Sequence, residues 1–252
     1  MNRRLTTIAL AAGLVVSAVG LLPAPASANT SQIGSSLKFP NLPSHCTNCV
    51  GVQTNATAGL SSLPQKSPAN GTVTSWSVRS GDVGALYTLR ILRQGGPTSY
   101  ASVGQSPATG PIASSTDAVH TYTASLPISF GDNIGVEVVG GTGLPDHFTG
   151  DRGDVIGFAA PSFPDGTSAT FTDVTQHELL VQATVKYCLV PNVHKQKKVN
   201  AKQALAAADC GVKVKKKVTH KKKFRGKVLK QKKAAGSTFP PGTVVPIVIG
   251  QK

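Results

Sequence analysis

The sequence predicts a mainly β protein: an antiparallel β-sandwich, jelly-roll-like, followed by a small α+β domain with one helix on a small sheet. Three observations lead there. Short runs rich in β-branched and aromatic residues recur between Gly71 and Tyr187, divided by Gly, Pro, Asp and Ser. A helical period appears only later, where Ala201, Ala204, Leu205 and Ala208 share one face. The charge also changes sign along the chain, since residues 29–185 carry a net −4 and residues 186–252 a net +17. Such an asymmetry marks a domain boundary and assigns the basic surface to the tail alone.

The chain opens with Arg3 and Arg4, an apolar run from Ile8 to Leu22, and Ala26-Ser27-Ala28. A charged start, an apolar stretch and a small-residue cleavage site predict an export signal over 1–28. No later run is long and apolar enough to span a bilayer, so the mature chain is expected outside the cytoplasm with no membrane span. Residues 29–70 are rich in Ser, Thr, Asn, Pro and Gly and show no clear period. They read as an extended lead-in containing Cys46 and Cys49.

The sandwich is expected over 71–187. Its candidate strands are Thr72 to Val78, Ala85 to Arg93, Ser99 to Val103, Val119 to Ala124, Asn133 to Val139, Val155 to Ala159 and Leu179 to Tyr187. Gly81-Asp82, Gly131-Asp132 and Gly153-Asp154 suit tight turns between them. Trp76, the only Trp, sits in an alternating run and is expected in the core, where a large aromatic ring buries most area. The tail, 188–252, reads as strand, helix and three further strands, with Asn200 as the helix N-cap. In Val212-Lys213-Val214-Lys215 the alternation directs Val inward and Lys outward.

The tail's motifs follow a recognisable order: Val190-Pro191-Asn192-Val193, then Ala201, Ala204 and Leu205, then Gln231, Gly236, Pro241-Gly242 and Thr243-Val244. In this the tail resembles the PASTA domain, a module found outside bacterial cells in penicillin-binding proteins and membrane-bound Ser/Thr kinases. Two positions depart from that pattern: Lys195 stands where the family usually has Gly, and Lys233 where it usually has Pro. The resemblance implies peptidoglycan or associated wall polymers as partners. The segment before the tail is similar to uncharacterised secreted β-sandwich segments of actinobacteria, which imply no function.

Export gives the four cysteines a meaning, because disulfides persist outside the cell. Cys188 and Cys210 bracket the first strand and helix of the tail and are expected to pair. For Cys46 and Cys49 a local bridge is favoured over a link to the tail pair.

Candidate chemistry is sparse. His120, Asp146-His147 and His177-Glu178 could contribute to a metal site, and Asp146, Asp151, Asp154 and Asp173 to a calcium site, but no spacing in the sequence forces either. Nucleophile elbows, zinc-protease helices and phosphate-binding glycine loops are missing from the sequence. The expectation is therefore a non-catalytic protein with no cofactor and no metal. The candidate ligand-binding residues are Lys195, Lys213, Lys215, Lys217, Lys221, Lys222, Lys223, Arg225, Lys227 and Lys230. Their density exceeds what solubility needs and calls for an anionic partner. Lys outnumbers Arg 17 to 1 in the tail, and Phe224 is the one nearby aromatic, which argues against sequence-specific nucleic acid binding. The function expected is that of a secreted, wall-associated protein whose tail binds peptidoglycan or anionic cell-wall polymers. The alternatives are a general polyanion binder and a secreted enzyme with its site in the sandwich.

Overall fold

The computed structural model describes residues 29–42, 46–55, 63–150 and 153–252. The export signal expected at 1–28 lies outside the described residues. Among the described residues thirteen strands precede the tail: β1 (Thr30–Gly34), β2 (Cys49–Asn55), β3 (Gly71–Ser80), β4 (Leu86–Gln94), β5 (Ser99–Gln105), β6 (Ala118–Ile128), β7 (Asn133–Val139), β8 (Asp146–Phe148), β9 (Val155–Ala159), β10 (Ser168–Thr170), β11 (Thr172–Thr175), β12 (His177–Leu179) and β13 (Val181–Lys186). The tail holds β14 (Cys188–Leu189), α1 (Lys198–Ala207), β15 (Gly211–Val218), β16 (Val228–Gln231), β17 (Thr238–Phe239) and β18 (Val244–Gln251), with a short 3-10 turn at Lys222–Phe224.

Two sheets build the larger part. One has four strands in the order β1-β13-β3-β6, the other seven in the order β10-β5-β4-β7-β2-β9-β11, and β12 pairs with β8 apart from both. Every pairing among these strands is antiparallel. The main core lies between the sheets, where Trp76, Val78, Val181 and Val185 meet Tyr87, Leu89, Val136 and Val138. Trp76 is buried as expected and packs on Tyr122 with ring centroids 5.0 Å apart.

The two sheets differ in how they are covered. β3 alternates between buried and half-buried positions and β6 between half-buried and exposed ones, as one-sided strands do. Strands β4 and β7 are buried on both faces. A second apolar cluster explains this: Val50, Val52, Leu92, Tyr100, Ala159 and Phe171 pack on the far side of the larger sheet. Tyr100 and Phe163 both meet Phe171 edge-on, at 5.0 and 5.9 Å.

The same two-sided burial corrects the reading of residues 29–70 as an extended lead-in. β1 pairs with β13, and β2 runs between β7 and β9 in the middle of the larger sheet. β2 carries five consecutive buried residues, so no alternation marks it in the sequence. Gly51 at its centre has no side chain, and a Cβ there would meet Leu144 at 2.9 Å and Leu179 at 3.2 Å. Those two leucines close over the strand through that gap. Cys46 and Cys49 are bridged to each other just where β2 begins.

The Gly-Asp corners are turns with buried carboxylates. Asp132 accepts from Arg93 at 2.8 and 3.0 Å and from the Ser129 amide at 2.9 Å. Asp82 accepts from the amides of Thr142 and Gly143. Asp132 ties its corner to β4 and Asp82 ties its corner to the loop at Thr142 and Gly143, with each carboxylate satisfying orphan donors.

The tail has its own apolar cluster. Ala201 and Leu205 of α1 lie on Val228, Val245, Ile247 and Ile249, with Val190 and Val193 closing one end. The sheet order is β15-β18-β16, with β15 parallel and β16 antiparallel to β18. Cys188 and Cys210 are joined, linking β14 to the segment just past the helix. The helix begins earlier than the Asn200 cap predicts. Lys197 is the N-cap and makes no side-chain capping bond, leaving Asn200 inside the first turn. Its helical position is dictated by Ala201 and Leu205 docking on the sheet, which outweighs a local cap of about 1 kcal/mol.

Candidate functional site

Four of the ten candidate cations sit on or beside one sheet face. In β15, Val212 and Val214 pack towards the helix, while Lys213, Lys215 and Lys217 are exposed on the other face. That second face is open from Val244 to Val248, and at Gly250 the Phe224 backbone and the Thr219 side chain lie over it. Its central strand shows Val244, Pro246 and Val248, of which Val244 is 49% exposed. Lys230 of β16 lies opposite Val248 on the far side.

The other six lie elsewhere. Lys221, Lys222, Lys223, Arg225 and Lys227 form the connection from β15 to β16 at one end of the sheet. Lys223 Nζ stands 5.4 Å from the Phe224 ring centre. Lys195 is in the turn before α1, where its amide donates to Val228 O at 2.9 Å. None of the ten makes an ion pair among the described residues. Such unpaired, like charges raise the local potential and attract polyanions over about a Debye length, roughly 8 Å at 0.15 M salt.

The two departures from the family pattern have physical consequences. Lys195 has φ 64°, the left-handed region that glycine adopts freely, so the backbone keeps the glycine conformation with a lysine in place. Lys233 puts its ammonium 3.9 Å from the centre of the Phe239 ring, a cation–π contact that fixes the loop before β17. Gln231, another motif residue, is structural. It accepts from the Val193 amide at 3.0 Å and donates to Pro191 O and Lys233 O at 3.0 and 2.9 Å, strapping the Pro-x-Val turn to β16.

The candidate residues of the larger part come together only in part. β8 and β12 place Asp146 opposite Leu179 and His147 opposite Glu178. His177 Nδ1 meets Asp146 Oδ2 at 2.6 Å. Burial, aided by His147, pushes the His177 imidazole below its usual range, and Nδ1–H donates to the Asp146 carboxylate. Burial pushes the Glu178 carboxyl up, against the Ser35 hydroxyl that donates to it at 2.7 Å. His120 is apart, its Nε2 3.0 Å from Ser80 O. Asp173 lies on β11 beside Thr54 and Asp151 falls outside the described residues. Among the described residues no group of three or more His, Cys, Asp and Glu is arranged to hold a metal ion.

Sequence reading missed one buried ionic group in the larger sheet. Arg90 on β4 donates through Nε and Nη2 to Glu137 on β7, at 3.0 and 2.7 Å, and through Nη1 to Asp165 and Ser102. Ser102 in turn donates to Asp165. Arg90 and Glu137 are nearly buried and paired with each other while Asp165 lies at the exposed rim, so the group braces the sheet rather than facing a ligand.

Among the described residues no helix is long and apolar enough to cross a membrane. No curated protein and no solved structure matches the chain. Residues 189–251, the segment that carries the helix, the three-stranded sheet and the lysine-bearing open face, match the family model of the PASTA domain, and the chain therefore carries a PASTA domain at its C-terminal end.

Proposed function

We propose that this chain is an exported, non-catalytic cell-envelope protein whose PASTA domain holds peptidoglycan or its associated anionic polymers. One observation carries the reading: ten exposed or half-exposed cations without ion-pair partners among the described residues are concentrated on a small module that matches a family of extracellular domains. Two disulfides are in keeping with an oxidising compartment, and residues 1–28 have the pattern of an export signal. On this reading residues 29–187 form a sandwich domain with no part in attachment, and 188–252 form the attachment domain.

A second reading, a polyanion binder without peptidoglycan specificity, draws support from Lys195 and Lys233. Both add charge where the family usually has Gly and Pro. The test is co-sedimentation of the disulfide-intact chain with whole walls and with polymer-stripped peptidoglycan, across a salt series. Binding to both materials, with a fraction on stripped peptidoglycan that survives 0.5 M salt, is expected. Loss of all binding to stripped material at that salt, with intact wall still binding at low salt, favours the second reading. No sedimentation with either at 0.15 M salt refutes both.

A further inference from the structure

The open face of the tail sheet is more ordered than a diffuse basic patch. β18 runs down its middle, and the register on either side sets cations opposite one another. Lys213 pairs with Pro246, and the Lys232 amide donates to Pro246 O from the other side. Lys215 and Lys230 both pair with Val248. Lys217 pairs with Gly250, but there the face is roofed: a Cβ on Gly250 would meet Phe224 O at 2.5 Å and Thr219 Cγ2 at 2.9 Å. Two open rungs result, each a cation, an apolar residue of β18, and a second cation. The four cationic side chains, Lys213, Lys232, Lys215 and Lys230, are exposed. Successive rungs are two residues apart, about 6.6 Å, and the two rows are separated by two strand spacings, about 9.6 Å between backbones.

We propose that this face is a track for a linear phosphodiester polymer of the glycerol-phosphate type, with two successive phosphates each held between one cation pair. The proposal rests on the wall-binding reading and names its ligand. The repeat is the first argument. Neighbouring phosphorus atoms in a glycerol-phosphate chain are six single bonds apart. Two residues of peptide are also six backbone bonds, so both extended chains advance by about 7 Å per repeat. A polymer laid along β18 therefore stays in step with the rungs.

Chemistry of the floor is the second argument. Val244, Pro246 and Val248 offer apolar contact to the methylene carbons between phosphates. None of the rung or floor positions is aromatic, so the bases of a single-stranded nucleic acid find no stacking platform. The carboxylates of a glycan strand recur at most once per disaccharide, a longer step that overshoots the second rung. A second copy of the chain is also disfavoured. The outer edge of β15 carries Lys213, Lys215, Lys216 and Lys217 close together, and two such edges repel.

The test measures binding of the disulfide-intact chain to synthetic glycerol-phosphate oligomers by titration calorimetry at 0.15 M salt. Affinity should climb steeply up to two phosphates and only weakly beyond. The variant K213Q/K215Q/K230Q removes three of the four rung cations and should lose roughly a hundredfold, about tenfold or less for each phosphate contact of ~1 kcal/mol in water. The control K197Q/K198Q/K202Q removes the same charge at the start of α1, off the track, and should lose only a few-fold. Circular dichroism of both variants checks the fold, which loses only like-charge repulsion.

Equal losses in the two variants overturn the track and leave diffuse attraction. Tighter binding of oligothymidylate than of a glycerol-phosphate oligomer with the same phosphate count also overturns it, in favour of nucleic acid. If the oligomers fail to bind while stripped peptidoglycan still does, the track is refuted and the wall-binding reading stands. If neither binds, both are refuted.

Discussion

Replacing Arg90 by Met should be among the most damaging single changes in the larger sheet. Its side chain is 5% exposed and that of Glu137 11%, and the two meet at 2.7 Å. Removing the guanidinium strips Glu137 of two donors and leaves a carboxylate inside the sheet. Breaking a buried pair in this way costs about 3–5 kcal/mol, because the remaining charge has lost its partner but not its desolvation. Asp165, 40% exposed, can recover water and adds little to that loss. The double variant R90M/E137L removes both charges and should be about 2 kcal/mol or more less damaged than R90M alone, since apolar replacements of buried pairs are often neutral. Urea denaturation followed by tryptophan fluorescence is a suitable assay. Trp76 is the only Trp and lies in the core beneath this sheet, so its signal reports the larger part and not the tail. A loss under 1 kcal/mol for R90M, or additive losses in the double variant, would refute the idea that Glu137 depends on Arg90.

Three further outcomes are expected. C188A/C210A, which opens a loop with a sequence separation of 22, should lower tail stability by about 3 kcal/mol in calorimetry, the unfolded-state entropy of that loop. Lys195→Gly should raise it by about 0.5–1 kcal/mol, since relief of a left-handed lysine (roughly 1–2 kcal/mol) exceeds the added freedom of unfolded glycine; a loss instead would mean that the Lys195 side chain makes a stabilising contact. Burial raises the folded-state pKa of Glu178, so its contribution favours the fold below the unfolded value of about 4.3 and is lost as pH rises through the folded value. Glu178→Gln should therefore stabilise the chain at pH 7 and bring no gain near pH 4, and a gain that persists at acid pH would contradict burial as the cause.

How much of this was readable in the sequence depends on what each strand faces. β3 and β6 have one wet face, so their alternation shows in the residues. β2 is buried on both sides, and β10 and β11 are too short to show a period, so none of the three is marked. The Val and Lys alternation of β15 was legible because the helix covers one face only. The rungs were not. Lys213 and Lys232 are neighbours across a strand only because β18, the last in sequence, inserts between β15 and β16. Single-sequence patterns give the faces of a strand but not its lateral partners. The same holds for Arg90, whose partners Glu137 and Asp165 come from β7 and a distant loop. Lys195 is the opposite case. There the departure from the family glycine was visible in the sequence, and the backbone keeps φ 64° although the side chain has changed.

The tail carries +17 over residues 186–252 on a core of only ten buried apolar or cysteine residues, and these two facts bear on each other. Exposed lysines at strand spacing repel across about 6.6 Å, and a domain this small has little stability to set against them. An ion pair on each lysine would relieve the repulsion but would also occupy the face. The chain instead places its one tail carboxylate, Asp209, just past the helix, where it meets Lys186 at 3.1 Å and leaves the open face free. The stabilising elements lie on the other side: Gln231 straps the first turn, Lys233 covers Phe239, and Cys188–Cys210 closes β14 onto the helix end. A covalent link stabilises without reference to salt or ligand, so the cations can stay unpaired and available until an anionic chain neutralises them. The repulsion then becomes part of the binding energy, because a polyanion on this face relieves it.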